Sequence, residues 1–145
     1  LLSRSLALEL TLAGTLGITI ADPWDAQASV LTDAINAIEG GNATAVEDAL
    51  TLSYESIDIV IATEENRLLP TEFKLPKFRE DLVVVDTSLD PKASSIIKEA
   101  TTANSCQIDG LEVTAATMVI NFRDLTGIEP DTEALREALD EFLDY

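Results

Sequence analysis

Apolar residues recur along this chain with two periods, one helical and one extended. From Ser3 to Ala13, Leu6, Leu8, Leu10 and Leu12 stand among strong helix formers, which predicts a helix with apolar residues on most sides, packed on a sheet and ending at Gly14. Ile18-Thr19-Ile20-Ala21 is a β-rich run that stops at Asp22-Pro23, because Pro23 cannot donate to a strand ladder. From Asp25 to Glu39, Ala28, Leu31, Ile35 and Ile38 repeat at steps of three and four before Gly40-Gly41, the mark of an amphipathic helix.

Within residues 42 to 56, a short strand or turn near Ala43 to Val46 and a helical turn around Glu47 to Leu52 both fit. Beyond them, Ile57-Asp58-Ile59-Val60-Ile61-Ala62 and Leu82-Val83-Val84-Val85-Asp86 are nearly continuous β-branched runs, as in strands covered on both faces. The intervening Glu64 to Asp81, with Pro70 and Pro76, reads as a long loop of the kind that carries function. A helix over Pro91 to Thr102, a short strand at Cys106 to Ile108 and a helix from Leu111 to Leu125 follow. In that last helix Leu111, Ala115, Met118, Val119, Phe122 and Leu125 share a face, and a final helix from Asp131 to Leu143 is expected to bury Leu135, Leu139, Phe142 and Leu143. Strands alternating with helices imply right-handed crossovers and an α/β, doubly wound, Rossmann-like parallel sheet. Nothing reads as an interdomain linker or an internal repeat, so residues 1–145 are expected to form one domain.

A chain of 145 residues can bury roughly 70% of its unfolded surface. With 46% hydrophobic and 25% charged residues its composition is globular. Its longest apolar runs fall far short of the roughly 20 residues a membrane helix requires. The single Cys106 cannot form an internal disulfide, which suggests a reducing, cytoplasmic setting. Asn42-Ala43-Thr44 matches a glycosylation sequon, read as a chance match. There are 27 acidic residues against 9 basic ones, a net charge of −18, and such a surface repels nucleic acid and anionic lipid. Without histidine no Ser/His or Cys/His catalytic pair exists, and Glu64-Glu65 beside Asn66 is a poor metal site.

Several segments taken in order resemble the C-terminal, nucleotide-binding domain of the shikimate and quinate/shikimate dehydrogenase family. Arg4-Ser-Leu-Ala-Leu-Glu-Leu-Thr-Leu-Ala-Gly14 is similar to the helix after that family's glycine loop, and Ile18-Thr-Ile-Ala-Asp22 to its second strand. Ile57-Asp-Ile-Val-Ile-Ala-Thr63 resembles the strand reaching an Asn-Ala-Thr motif, with one residue of the motif absent. Leu82-Val-Val-Val-Asp-Thr-Ser-Leu-Asp-Pro91 resembles the strand before an Asp-x-x-Tyr-Asn-Pro turn. Asp109-Gly-Leu-Glu112, with Phe122 and Thr126-Gly-Ile128, resembles the closing Asp-Gly-Leu helix. On this resemblance the sequence begins after the first strand and its glycine-rich phosphate loop; Gly14-x-x-Gly17 is a helix C-cap and no substitute.

The resemblance implies an oxidoreductase that passes a hydride between a nicotinamide dinucleotide and a hydroxyl/carbonyl substrate such as shikimate or quinate. The family's catalytic lysine and aspartate belong to a separate substrate domain that no segment here resembles, so this chain is expected to hold no catalytic residue and to be inactive alone. Asp22, at the end of the second strand, is expected to accept hydrogen bonds from adenosine ribose hydroxyls and to oppose an extra phosphate, favouring NAD over NADP; otherwise Asp22-Pro23 is only a turn. Thr63 would line the cofactor cleft, and Gly110 would let the backbone approach the nicotinamide amide. Asp86 and Asp109, also at strand ends, read as helix caps or solvated groups. The family's substrate-binding glutamine falls at Thr117 and its turn tyrosine at Leu89, and neither reproduces those longer polar contacts. A non-catalytic acidic interaction domain derived from such an enzyme, and a related dehydrogenase with a pterin-type substrate, are the alternatives. A homodimer is compatible with all three.

The acidity fits either a salt-rich cytoplasm or an ordinary acidic protein. Salt adaptation predicts a melting temperature that rises from low to molar potassium chloride, because screening relieves repulsion among surface carboxylates. A flat or falling melting temperature across that range rejects it.

Overall fold

The computed structural model describes residues 2–22, 25–47, 52–63, 78–89 and 95–143. The chain divides into two compact units, Leu1–Ser53 and Tyr54–Tyr145. Of the loop expected over Glu64 to Asp81, residues 64–77 lie outside the described residues, as does the expected helix start at Pro91.

In the first unit, α1 (Leu2–Leu12) leads to β1 (Ile18–Ala21), then α2 (Asp25–Asn36) and β2 (Ala43–Val46). Helix α1 ends as its glycine predicts: Gly14 has φ +91°, and Thr15 N–H reaches back to the Leu10 carbonyl at 3.1 Å. The β1 and β2 strands are parallel, Ile18 opposite Ala43 and Ala21 opposite Val46, which settles 43–46 as a strand. A right-handed α crossover is the ordinary way to make such a pair. Ala7, Ile35 and Ala43 form the core, flanked by Leu8, Ile18, Ile20 and Leu31; α2 presents the apolar positions its periodicity indicates, whereas α1 packs Ala7 and Leu8 inward and leaves Leu12 exposed. The end of α2 is fastened to the start of β2 by a side chain acting as a strand partner. Asn36 Oδ1 accepts from Ala43 N–H at 2.7 Å while its Nδ2 donates to the Ala43 carbonyl at 3.1 Å.

The second unit is built on three parallel strands in the order β3 (Ile59–Ala62), β4 (Val83–Asp86), β5 (Cys106–Ile108). Around them stand a short 3-10 turn at Tyr54–Ser56 and three helices: α3 (Ser95–Ala103), α4 (Gly110–Thr126) and α5 (Thr132–Leu143). The central strand carries the core. Leu82 and Val84 are fully enclosed and Asp86 is 1% exposed, three alternate positions on one face of a pleated strand. Among the described residues β1 pairs only with β2 and β3 only with β4, so β1 and β3 each stand at an edge of their own sheet. Ile59, on such an edge, is correspondingly half in solvent, less covered than the sequence run implies.

Arg79 closes the edge where these strands begin. Its Nη1 donates to the Tyr54 carbonyl at 2.9 Å and also to that of Glu55, its Nε donates to Asp81 at 2.8 Å, and its own carbonyl accepts from Ser105 Oγ at 2.7 Å. The hydrogen bond from Arg79 holds the Asp81 carboxyl below its ordinary range. Tyr54 and Phe78, with ring centres 5.6 Å apart, pack nearby.

The last two helices depart from expectation. Helix α4 buries Ala115 and Val119, but Met118 and Phe122 are exposed and Leu125 is 85% exposed; in α5 Leu135 and Leu139 are half-buried while Phe142 is 75% exposed. Two helices packed mainly on each other can cover only one side of each, so an apolar stripe wider than that contact stays in solvent. The last helix starts at the expected residue, with Asp131 Oδ1 accepting from the Glu133 and Ala134 amides, and Gly127 closes α4 at φ +69°.

Leu82→Ala should destabilise the protein by about 2–5 kcal/mol, the usual cost of emptying an enclosed leucine site. Leu125→Ala should fall within about 0.5 kcal/mol of wild type. Urea unfolding of both variants checks the contrast; equal effects would contradict the placement of the core.

Candidate functional site

The C-terminal ends of parallel strands gather the residues singled out at strand ends. In the second unit Ala62 lies opposite Asp86 and Val85 opposite Ile108, so Thr63, Asp86 and Asp109 end three neighbouring strands. Parallel strands leave their C-terminal edge to loops and helix N-termini, which is where open α/β sheets bind ligands. The order of the strands, more than any one residue, makes this edge the candidate site.

Beyond β4 the chain is tied sideways to β3. Thr87 donates to the Ala62 carbonyl twice, from its amide at 3.0 Å and from Oγ1 at 3.2 Å. Ser88 N–H then turns back to Asp86 Oδ1 at 2.9 Å, an Asx-turn. This corrects the reading of Asp86 as a helix cap or solvated group: it is enclosed, and its hydrogen bond shapes a turn. A run of Val-Val-Val-Asp reads as a strand with a polar end, and only the two-residue register shows that the aspartate shares the core face with Val84. Thr87 and Ser88 stand within the segment that resembles the family's turn, but nothing in their spacing marks them as site residues.

The same turn explains Gly110. A Cβ there would lie 1.9 Å from the Ser88 carbonyl oxygen and 2.9 Å from the Thr87 carbonyl carbon, so the first turn of α4 sits against the β4 turn at a distance only glycine permits. Asp109 starts the helix in extended conformation, and its Oδ1 accepts from the Glu112 amide at 2.8 Å. Its Oδ2 lies 3.6 Å from Arg136 of α5, which couples the two helices at this end. Asp109 is thus the cap that its sequence position suggests.

The remaining candidates are placed as follows. Thr63 is half-buried directly after β3. Thr117 is exposed on α4 and its hydroxyl donates to the Val113 carbonyl at 2.8 Å, while Leu89 is exposed just past the β4 turn. In the first unit Asp22 is half-buried immediately after β1, at that strand's C-terminal end; Pro23 lies outside the described residues. A cleft of about 510 Å³ between α4 and α5, lined by Glu112, Ala115, Asp131 and Arg136 among others, includes neither Thr63, Asp86 nor Gly110. No cluster of metal-ligating side chains occurs among the described residues, and no described helix is long and apolar enough to cross a membrane.

Comparison with known proteins bears on what this edge does. No family model matches the chain. A curated shikimate dehydrogenase (NADP(+)) of Methanocaldococcus jannaschii is 30% identical over 95 residues, which are 62% of this chain and 34% of that protein. Among solved structures, the 5-ketofructose reductase of Gluconobacter sp. strain CHM43 superposes with a TM-score of 0.84 at 23% identity, over 97% of this chain and 52% of its own. Quinate dehydrogenase from Corynebacterium glutamicum, solved with NAD, gives a TM-score of 0.75 at 25% identity over 98% and 51%. The chain therefore spans about half the length of these solved relatives. The likeness to the reductase establishes the Rossmann-like α/β fold, with this chain's parallel strands in two small, incomplete sheets. Along the ordered motifs from Arg4 to Ile128 the chain is thus similar in sequence to a shikimate dehydrogenase and in fold to a quinate dehydrogenase.

Proposed function

We propose that the chain is the nicotinamide-dinucleotide-binding part of a dehydrogenase that transfers a hydride between NAD and a small hydroxyl/carbonyl substrate held with a separate domain. The observation that carries this reading is the convergence of Thr63, the Asp86–Ser88 turn and the N-terminus of α4 at one edge of a parallel sheet. Relatives of the same fold are solved with NAD. When bound, the nicotinamide supplies or accepts the hydride.

The residues of this chain act by holding and orienting. The Asp22 carboxylate accepts hydrogen bonds from the adenosine ribose hydroxyls, and its charge opposes a phosphate on that ribose. Thr63 lines the cleft beyond β3. Gly110 has the room of its missing side chain filled by Ser88, so its part is to bring the backbone of α4's first turn against the strand ends beside the nicotinamide. The fit to a dinucleotide rests on that close approach at the C-terminal edge of the parallel strands.

The substrate is a polar hydroxyl or carbonyl compound of the kind the relatives' names describe: shikimate, quinate or a ketofructose. At Thr117 the hydroxyl is engaged with its own helix, and Leu89 is apolar. The contacts that the family's glutamine and tyrosine make to a cyclic polyol acid are thus not reproduced. A different carbonyl compound follows more naturally from these two positions.

The intact protein should use NAD in preference to NADP. Asp22→Ser should shift the ratio of kcat/KM values toward NADP by about 1–3 kcal/mol, the usual worth of hydrogen bonds to a charged group. Steady-state kinetics with both cofactors decide it, and unchanged selectivity would leave Asp22 as a turn residue. Absence of binding to either dinucleotide in calorimetry would reject the function itself.

A further inference from the structure

Asp86 does something that neither capping nor the Asx-turn explains. It lies one step beyond Val84 on the enclosed face of β4, where an apolar residue would continue the core. Its two carboxyl oxygens have different surroundings. Oδ1 accepts the Ser88 amide at 2.9 Å, whereas Oδ2 is enclosed and has no hydrogen-bond partner among the described residues. An enclosed acceptor with no donor is destabilising, and such groups in folded proteins have a reason that packing does not supply.

The position of this acceptor narrows the reason. Asp86 ends the central strand of the β3-β4-β5 sheet, and the turn it shapes touches both neighbours: Thr87 is bonded to Ala62 at the end of β3, and Ser88 lies against Gly110 at the start of α4. A carboxyl oxygen at this edge selects a donor and disfavours an anion, which sets it apart from a phosphate site. In a nicotinamide dinucleotide the donors are the carboxamide amine and the ribose hydroxyls.

We propose that Asp86 is a dinucleotide-binding residue whose Oδ2 receives a hydrogen bond from one of these donors, with a small opening of the Asp86–Ser88 turn to admit it. The proposal rests on the dinucleotide-binding function above and adds to it a contact at the centre of the sheet edge.

Asp86→Asn in the full-length protein tests it. Asparagine keeps the volume and the acceptor for Ser88 N–H but turns an amine toward the place of Oδ2, where it opposes a donor. NAD affinity by isothermal titration should fall about tenfold or more, while the thermal midpoint stays within about 3 °C of wild type, the change expected when a ligand contact is lost and the fold is kept. Wild-type NAD affinity in the variant would overturn the proposal and leave Oδ2 to an internal water. So would an affinity loss matched by a collapse of the midpoint, accompanied by wild-type hydrogen exchange at Ser88 that NAD does not alter. Should the variant not fold, that exchange measurement stands alone: NAD must change exchange at the Ser88 amide for the proposal to survive. A wild-type protein that binds neither NAD nor NADP instead removes the function on which the proposal rests.

Discussion

The enclosed face of β4 is the constraint on which the second unit depends. Leu82, Val84 and Asp86 occupy alternate positions, so the pleat points all three side chains the same way, while the backbone between them is hydrogen-bonded to β3 on one side and β5 on the other. Shifting that strand by one residue would turn the row outward and bring Val83 and Val85 inward, exchanging the whole face. Register, core and the location of Asp86 are therefore one fact. The two ends of the strand are then secured by different means. Arg79 fastens the starting edge through backbone carbonyls, and the Asp86–Ser88 turn fastens the other through Thr87 and Gly110.

This division of labour matters for chemistry. The starting edge is closed by a cation whose donors are spent on the protein's own carbonyls and on Asp81, leaving it a structural role. The C-terminal edge is assembled from a strand-end threonine, a tight turn and a helix N-terminus, which is the arrangement open parallel sheets use for ligands. Gly110 and Asp109 play distinct parts there, the first by yielding space to the Ser88 carbonyl and the second by capping α4. On the proposed function, stability and binding fall at opposite edges of the same sheet, as they do when a rigid scaffold presents loops for function.

The apolar stripe of α4 shows how a helical pattern is divided between neighbours. Its period of three and four residues places Leu111, Ala115, Met118, Val119, Phe122 and Leu125 on one broad face, yet only Ala115 and Val119 are enclosed. A stripe of that width spans more than one packing partner, and α5, amphipathic but itself without an enclosed residue, covers only part of it.

The local readings that rested on short-range chemistry were legible from the sequence. β1 lies where Ile18 to Ala21 indicated, α1 closes at Gly14, Asp109 and Asp131 cap their helices, and alternating strands and helices gave the parallel α/β architecture that the solved relatives share. These features depend on a few neighbouring residues, whose propensities and hydrogen bonds are fixed by covalent sequence. The strand at 43–46, left open between two readings, was decided by its pairing with β1 and by Asn36, a partner seven residues away. The enclosure of Asp86, the packing demand at Gly110 and the exposure of Phe122 and Phe142 could not be read at all. Each depends on which segment lies across from it, and that is set only when distant strands pair and helices choose the faces they share.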